Sequence, residues 1–311
     1  MARKPRIHKP GGYYHVIIRG NDRQEIFFDE QDRIYYESLI SEGVERFKYK
    51  VHAYSFMSNH VHLLIQVSDI KLSKIIQNIS FRYTKYINKK KSRIGHLFQG
   101  RYKAILIDAD SYLLELVRYI HLNPVRANMV EKLEEYKWSG HLCYLGKIKK
   151  KWFSTNEVLS QFSARKGKAR SKYQEFVYEG IGVEGVNYKR EIKEGRIMGE
   201  DKFIEEVLKE NEEKEDKILE MEVIIKRVCK YYGMTEKELR RKDKNRDIGN
   251  VRNIIGYLVR EYSGSTIKKY SEEVGRDITS ISKGMRKVRE KMESNKELAD
   301  EINKLIPICQ A

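Results

Sequence analysis

The chain has 311 residues, 34% of them charged, with a formal net charge of +17. That length accommodates about two domains, and the excess of cations makes a polyanion the natural partner, nucleic acid ahead of a membrane surface. No apolar run approaches the ~18–20 residues of a spanning helix and no signal-peptide core is present. Three scattered cysteines without CxxC spacing argue against a disulfide framework and a thiolate zinc site, so the expectation is a soluble intracellular protein.

The charge is uneven. Residues 1–150 hold 27 Lys and Arg against 15 Asp and Glu, whereas residues 201–311 hold 25 against 23. Within the last segment, 201–221 is acidic and 222–290 basic. The expected organisation is a strongly basic unit at 1–145, a basic connector with short helices at 146–205, and a helical unit at 206–311.

Arg3, Lys4, Arg6 and Lys9 form a basic leader. Residues 13–19 are β-branched and aromatic and predict a strand, broken by Gly20, Asn21 and Asp22. Ile34, Leu39, Ile40 and Val44 recur at near-helical spacing and predict a helix over 29–46. A second strand covers 49–56, and a third covers 58–67. In the third, His60, His62, Leu64 and Gln66 alternate with Val61, Leu63, Ile65 and Val67. Alternation gives each set its own face. The apolar row is expected to pack on helices. The other presents two imidazoles to one point, which is either the start of a metal site or two satisfied polar residues at a strand edge. Leu72, Ile75, Ile76, Ile79 and Tyr83 predict a helix over 70–87. A basic, glycine-punctuated loop then leads to a short strand at 104–107.

This order, β-α-β-β-α-β, is the ferredoxin-like split arrangement within an α+β class. It predicts a four-stranded antiparallel sheet with both helices on one face and His60 and His62 on the open one. A third helix follows, capped by Asp108 or Asp110, with a core stripe of Leu113, Leu116, Val117 and Ile120. Pro124 is expected to end it at Asn123. Tyr112, Glu115, Tyr119 and Asn123 lie on a different stripe, so Tyr119 and Asn123 project together about a turn apart. The pair could serve a metal site, but spacing alone favours a boundary aromatic and a C-cap before proline.

Three motifs now combine: Ser58-Asn59-His60-Val61-His62-Leu63-Leu64, Gly100-Arg101-Tyr102-Lys103, and Tyr119 through Ala127 with Asn123-Pro124 inside it. In order and spacing they resemble the REP-associated tyrosine transposases of the single-tyrosine HUH superfamily, over roughly residues 8–145. The resemblance implies a transposase-type endonuclease that cuts and joins single-stranded or hairpin DNA through a 5′-phosphotyrosine. It implies Tyr119 as nucleophile, with Tyr112 as the rival two turns earlier. It implies His60, His62 and Asn123 as ligands of a divalent ion, Mg²⁺ or Mn²⁺. Arg93, His96, Phe98, Arg101, Tyr102, Lys103 and Arg126 are candidate DNA contacts, whereas His15, His52 and His121 are expected to be structural or peripheral. The family includes monomers and dimers with swapped tyrosine helices, so both assemblies stay open.

In the connector, short helices are expected near 155–162 and 169–178. An acidic amphipathic helix is expected over 201–220. From Met221 the pattern predicts further helices, one opened by a capping-box-like Thr235, others at 249–262 and 265–273, and a last one from Thr279. The final pair fits a helix-turn-helix. Tyr231-Tyr232-Gly233, Val251-Arg252, Tyr257-Leu258 and Gly275-Arg276-Asp277-Ile278-Thr279-Ser280 resemble the DNA-binding domain of the DnaA replication initiators. That resemblance implies duplex DNA contacts from Arg252, Arg276, Asp277, Thr279 and Ser280, with Arg246 in a minor groove. Ile278 stands where that family has histidine, and one glycine is missing before Gly275, so the site read is not expected to be a DnaA box. The two resemblances together imply a bacterial, cytoplasmic, nucleoid-associated protein. A non-cleaving DNA-binding regulator is the alternative function, and a ferredoxin-like RNA-binding module is a third.

Overall fold

The computed structural model describes residues 7–183, 192–193, 195–215, 219–241 and 245–310. The leader through Arg6, part of the connector at 184–191 and the middle of the basic stretch at 242–244 lie outside the described residues. The chain divides into two compact units, Met1–Glu206 and Val207–Ala311.

The first unit is α+β. Its early elements are β1 (Tyr13–Arg19), α1 (Glu30–Phe47), β2 (Lys50–Phe56), β3 (His60–Gln66), α2 (Leu72–Lys90), β4 (Lys103–Ile107) and α3 (Ala109–Arg126). The helices α4 (His141–Leu145), α5 (Asn156–Phe162) and α6 (Lys166–Glu179) follow. After them come β5 (Ile192–Lys193), β6 (Ile197–Met198) and α7 (Asp201–Glu215), which runs past the unit boundary. The sheet has six strands rather than four, in the order β2-β3-β1-β4-β6-β5. Every pairing is antiparallel except β4 with β6. The two added strands are two residues each, too short for an alternation to be read in sequence.

On one face lie α1 and α2. Asp29 starts α1 through a reciprocal capping box with Asp32, and Lys90 of α2 reaches both carboxylates at 2.7 and 2.6 Å. Phe27, Tyr36, Phe56 and Tyr83 pack ring against ring beneath them, and the Tyr83 hydroxyl donates to the Ile26 carbonyl at 2.7 Å.

The histidine face is not open. The helix α3 lies across β2 and β3 on that side, and its stripe Leu113, Leu116, Val117 and Ile120 is buried. A helix with such a stripe must bury it, and the sheet face carrying Ala53 and Leu64 is where it goes. Nor does α3 end at Asn123: it continues through Pro124 to Arg126. Proline has no N–H for the Ile120 carbonyl one turn back. The Asn123 side chain substitutes, donating Nδ2 to the carbonyls of Tyr119 at 3.0 Å and Ile120 at 3.4 Å.

Residues 146–183 are built into this unit, where composition had suggested a connector. Ser154 N–H donates to the Val51 carbonyl at 2.9 Å, Trp152 Nε1 to Glu37 at 3.0 Å, and Tyr144 stacks on Tyr173 at 4.6 Å.

The regular elements described in the second unit beyond α7 are helices: α8 (Met221–Tyr231), α9 (Glu236–Leu239), α10 (Arg246–Tyr262), α11 (Ile267–Glu273), α12 (Ile278–Ser294) and α13 (Lys296–Gln310). Its core joins Ile224, Val228, Ile255, Tyr270, Ile281, Ile302 and Leu305. Thr235 and Glu238 form the expected capping box. The turn between α11 and α12 needs Gly275 at φ +61°, a left-handed conformation open to glycine at no steric cost. The helix α13 was not anticipated.

Candidate active site

Register assembles the site. Across β1 and β3, Arg19 pairs with His60, Ile17 with His62 and His15 with Leu64. Arg19, Ile17 and His15 therefore share the face of His60 and His62. Lys103 pairs with Ile17 from β4 and joins the same face. The helix α3 then lowers Tyr119 onto the cluster. Its ring meets His15 and His62 edge-on, each at 5.9 Å between centroids.

Each of the two predicted ligand histidines has one ring nitrogen engaged. His60 Nδ1 faces Asn59 Oδ1 at 2.6 Å, and His62 Nδ1 faces His15 Nε2 at 2.9 Å. Asn59 Oδ1 only accepts, so His60 carries its proton on Nδ1 and keeps a lone pair at Nε2. The same tautomer at His62, with His15 accepting, leaves a second Nε2 lone pair. Burial above all holds the three imidazoles neutral, helped by Lys103 at His15, by Arg19 at His60, and by His15, His60 and then Arg19 at His62: His15 falls to about 3, His60 to about 4, and His62 well below its usual value. Neutral imidazoles with an outer-shell partner at the far nitrogen are the form that binds a metal.

Asn123 lies one turn beyond Tyr119 on α3. Its Nδ2 is committed to the helix carbonyls, so Oδ1 is the atom left for a ligand. Among the described residues no group of three or more His, Cys, Asp or Glu side chains is placed to hold a metal. A divalent ion here would depend on the amide as third ligand. Two imidazoles and an amide oxygen fit a hard ion of Mg²⁺ or Mn²⁺ type that keeps open positions.

The Tyr119 phenol is half-buried. Burial raises its pKa, and the charges of Arg126 and Arg19 oppose that rise. The Arg126 guanidinium lies 5.6 Å from the ring centroid, one cation–π distance away. Tyr112 sits two turns earlier, and the tyrosine ring beside His15 and His62 is that of Tyr119.

Other predicted residues fall elsewhere. Arg93, Arg101 and Tyr102 belong to the loop before β4. In the second unit, Arg252 is not a surface cation. It is 7% exposed and donates Nε to the Leu239 carbonyl at 2.6 Å and an Nη to the Arg241 carbonyl at 2.9 Å, closing α9 onto α10. Asp277 is the N-cap of α12 and accepts from the N–H groups of Thr279 at 2.8 Å and Ser280 at 3.1 Å. Arg276 donates to the Arg241 carbonyl. Thr279 and Ser280 are exposed in the first turn of α12, and Arg246 is exposed at the start of α10. His52 is buried against Gln66 at 3.3 Å, away from the reacting groups. Arg19 was not anticipated, and His15, expected to be structural or peripheral, lies against His62. Their parity along β1 is legible in sequence, but the register that brings them to His62 and His60 is not.

Comparison with known proteins follows the same division. Residues 9–123 match the family model "Transposase IS200 like", and residues 221–288 match "Bacterial dnaA protein helix-turn-helix". A Haemophilus influenzae protein described as a REP-associated tyrosine transposase is 24% identical over 150 residues, covering 45% of this chain and 85% of that one. The chromosomal replication initiator DnaA of Caldanaerobacter subterraneus subsp. tengcongensis is 29% identical over 85 residues, and that of Thermoanaerobacter sp. 28% over 98. These cover 27% and 32% of this chain but only 19% and 22% of the initiators. A solved REP-associated tyrosine transposase bound to a REP hairpin covers 50% of this chain and 93% of its own, at 16% identity and a TM-score of 0.42. Residues 9–123 are thus similar to the IS200-like transposases, and residues 221–288 to the helix-turn-helix domain of bacterial DnaA proteins.

Proposed function

We propose that the first unit cuts and rejoins single-stranded DNA with Tyr119 as nucleophile. The observation that carries the reading is the Tyr119 ring set against His62 and His15, with the Arg126 guanidinium 5.6 Å from its centroid. The phenolate oxygen attacks phosphorus, the bond from phosphorus to the 3′ oxygen breaks, and Tyr119 becomes joined to the 5′ phosphate. The phenol loses a proton and the leaving 3′ oxygen gains one, so the step is proton-neutral overall. Attack by a 3′ hydroxyl on the phosphotyrosine reverses it, with no water or nucleotide cofactor consumed. Arg126 and Arg19 stabilise the phenolate. His60 and His62 through Nε2, and Asn123 through Oδ1, would hold a divalent ion. When bound, that ion supplies Lewis-acid polarisation of the phosphate and charge stabilisation at the leaving oxygen.

In this reading the second unit binds duplex DNA through the first turn of α12, with Thr279 and Ser280 towards the groove. It would place the first unit near its target strand. The reading is tested by incubating the full chain with Mn²⁺ and a labelled single-stranded oligonucleotide carrying a hairpin. A protein–DNA adduct that survives denaturation is expected, absent with EDTA and absent in Tyr119→Phe. An adduct that persists in Tyr119→Phe and disappears in Tyr112→Phe would move the nucleophile.

A further inference from the structure

On the side of the sheet away from His62, α2 and the loop before β4 enclose a cleft of about 470 Å³ that no step above uses. It is ligand-sized. Three features set its chemistry. Its rim carries Phe81, 70% exposed on the outside of α2, a large ring that contributes nothing to the core. Its walls add Phe98 and Tyr102, and Gln77 and Ser80 also line it. Its lining includes Arg101 and His96 and, among the described residues, no carboxylate.

A lone exposed aromatic needs no explanation. An exposed ring over a cleft with two further aromatic walls, amide and hydroxyl edges and only basic charge is different. A detergent-like or purely apolar ligand would leave Gln77, Ser80 and Arg101 unmatched. An acidic peptide would leave the three rings without partners. An unpaired nucleotide uses every part: its base stacks on a ring, its edge meets the amide and hydroxyls, and its phosphate meets the guanidinium.

The loop that lines the cleft is also tied by backbone hydrogen bonds to the reactive end of the sheet. Gln99 N–H donates to the Arg19 carbonyl at 2.9 Å, Asn21 N–H to the Leu97 carbonyl at 2.8 Å, and Gly20 bridges to Phe98. Ile18 lines the cleft, and the next residue, Arg19, pairs with His60. One short stretch of backbone therefore separates the two sites.

We infer that this cleft is a stacking subsite for unpaired bases of a single DNA strand, with Phe81 as its platform and Arg101 as its phosphate contact. The inference rests on the reading of single-stranded DNA as the polymer, and it stands independently of cleavage. The test measures binding of the full chain, in EDTA, to a fluorescein-labelled oligo(dT) and to a duplex of equal length. Phe81→Ala is expected to weaken oligo(dT) binding by about 5- to 100-fold, the effect of losing one or so stacked bases. Phe81→Tyr, which keeps a ring, should restore it, and duplex binding should not change. Because Phe81 is exposed, thermal melting of both variants should match the unmodified chain. Unchanged oligo(dT) affinity in Phe81→Ala, or equal losses for duplex and single strand, overturns the inference. If the unmodified chain forms no adduct with Mn²⁺ while the Phe81 effect holds, the cleavage reading fails and the subsite stands. If the adduct forms and Phe81→Ala binds normally, the subsite alone fails.

Discussion

The first unit contains two clusters of histidine and tyrosine on opposite sides of one helix. Tyr119 of α3 meets His15 and His62, and two residues later His121 meets Tyr173 and His141. Residues two apart on a helix face roughly opposite ways, so α3 divides the two groups. The residue types are the same and the settings differ. His121, His141 and Tyr173 are fully buried, and the Tyr173 hydroxyl links both Nδ1 atoms at 2.7 and 2.9 Å. Burial pushes the Tyr173 phenol well above its usual value. Tyr119 and His60 instead reach solvent, and arginines flank the phenol. An imidazole–phenol cluster becomes a reactive site through access and nearby cations; enclosed, it becomes a clamp that holds α3 on α4 and α6.

Exchanging the two tyrosines separates these roles most sharply. Tyr119→Phe should abolish the denaturation-resistant adduct while leaving the melting temperature close to that of the unmodified chain. Tyr173→Phe removes one hydroxyl from two buried histidines. It should lower stability by about 2–4 kcal/mol, because each buried imidazole nitrogen left unpartnered costs on the order of 1–3 kcal/mol. Its adduct should persist at temperatures where it is folded. Denaturant melts and adduct gels on the same samples decide this; an adduct lost in the Tyr173 variant and kept in the Tyr119 variant would invert the assignment.

The next effect is smaller and concerns His15. It is 4% exposed and meets His62 at 2.9 Å. His15→Gln keeps an acceptor, whereas His15→Leu leaves His62 Nδ1 without one. Loss of an outer-shell partner typically weakens metal affinity by about 10- to 100-fold. Calorimetric titration with Mn²⁺ should show that loss for Leu and a milder one for Gln. Equal affinity in both would mean that His15 only fills space.

The clamp also predicts a pH dependence. Burial holds His141 down to about 4, from an unfolded value near 6.5. Above pH 6.5 both states are neutral there and stability is flat. As pH falls from 6.5 towards 4 the unfolded chain takes up a proton that the folded chain refuses, so stability is lost across that window. The part due to His141 reaches about 3 kcal/mol at the lower end, at ~1.4 kcal/mol per pH unit. His141→Gln should reduce the slope by about one proton's share, the remainder belonging to the other buried histidines such as His15, His60 and His62. An undiminished slope would take His141 out of the acid response.

Much of this was legible beforehand, where the information is local. The strand at 13–19 is β1 residue for residue, and the stripe Leu72, Ile75, Ile76, Ile79 and Tyr83 is buried on α2. The non-local parts were not. Alternation gave the parity of His60 and His62, but whether their face meets solvent or α3 depends on contacts between β2, β3 and α3. Proline reads as a stop, yet the helix passes it, with the Asn123 amide reaching back to the Ile120 carbonyl. Strands of two residues, and a register that brings a third histidine to the site, leave no periodic trace. Arg252 was misread because a buried arginine and a DNA-contacting one look alike until the carbonyls of Leu239 and Arg241 are seen around it.

That misreading supplies the finest test, in the second unit. Arg252 and Thr279 belong to the same DnaA-like match, one inside the core and one on the surface. Removing the guanidinium in Arg252→Met takes the donor from the Leu239 carbonyl, while Arg276 still donates to that of Arg241, and should cost on the order of 1–3 kcal/mol of stability. Duplex affinity should recover once measured below the melting transition. Thr279→Ala removes one exposed hydroxyl, and Asp277 still caps α12 through the backbone N–H groups of residues 279 and 280. Its melting temperature should not move, and affinity for a specific duplex should fall by a few-fold, on the order of 1 kcal/mol for one lost contact. Affinity for unrelated duplexes should not change, because phosphate contacts are sequence-independent. Equal losses on all duplexes would place Thr279 at the phosphate backbone, and no loss on any would leave α12 without base readout at its first turn.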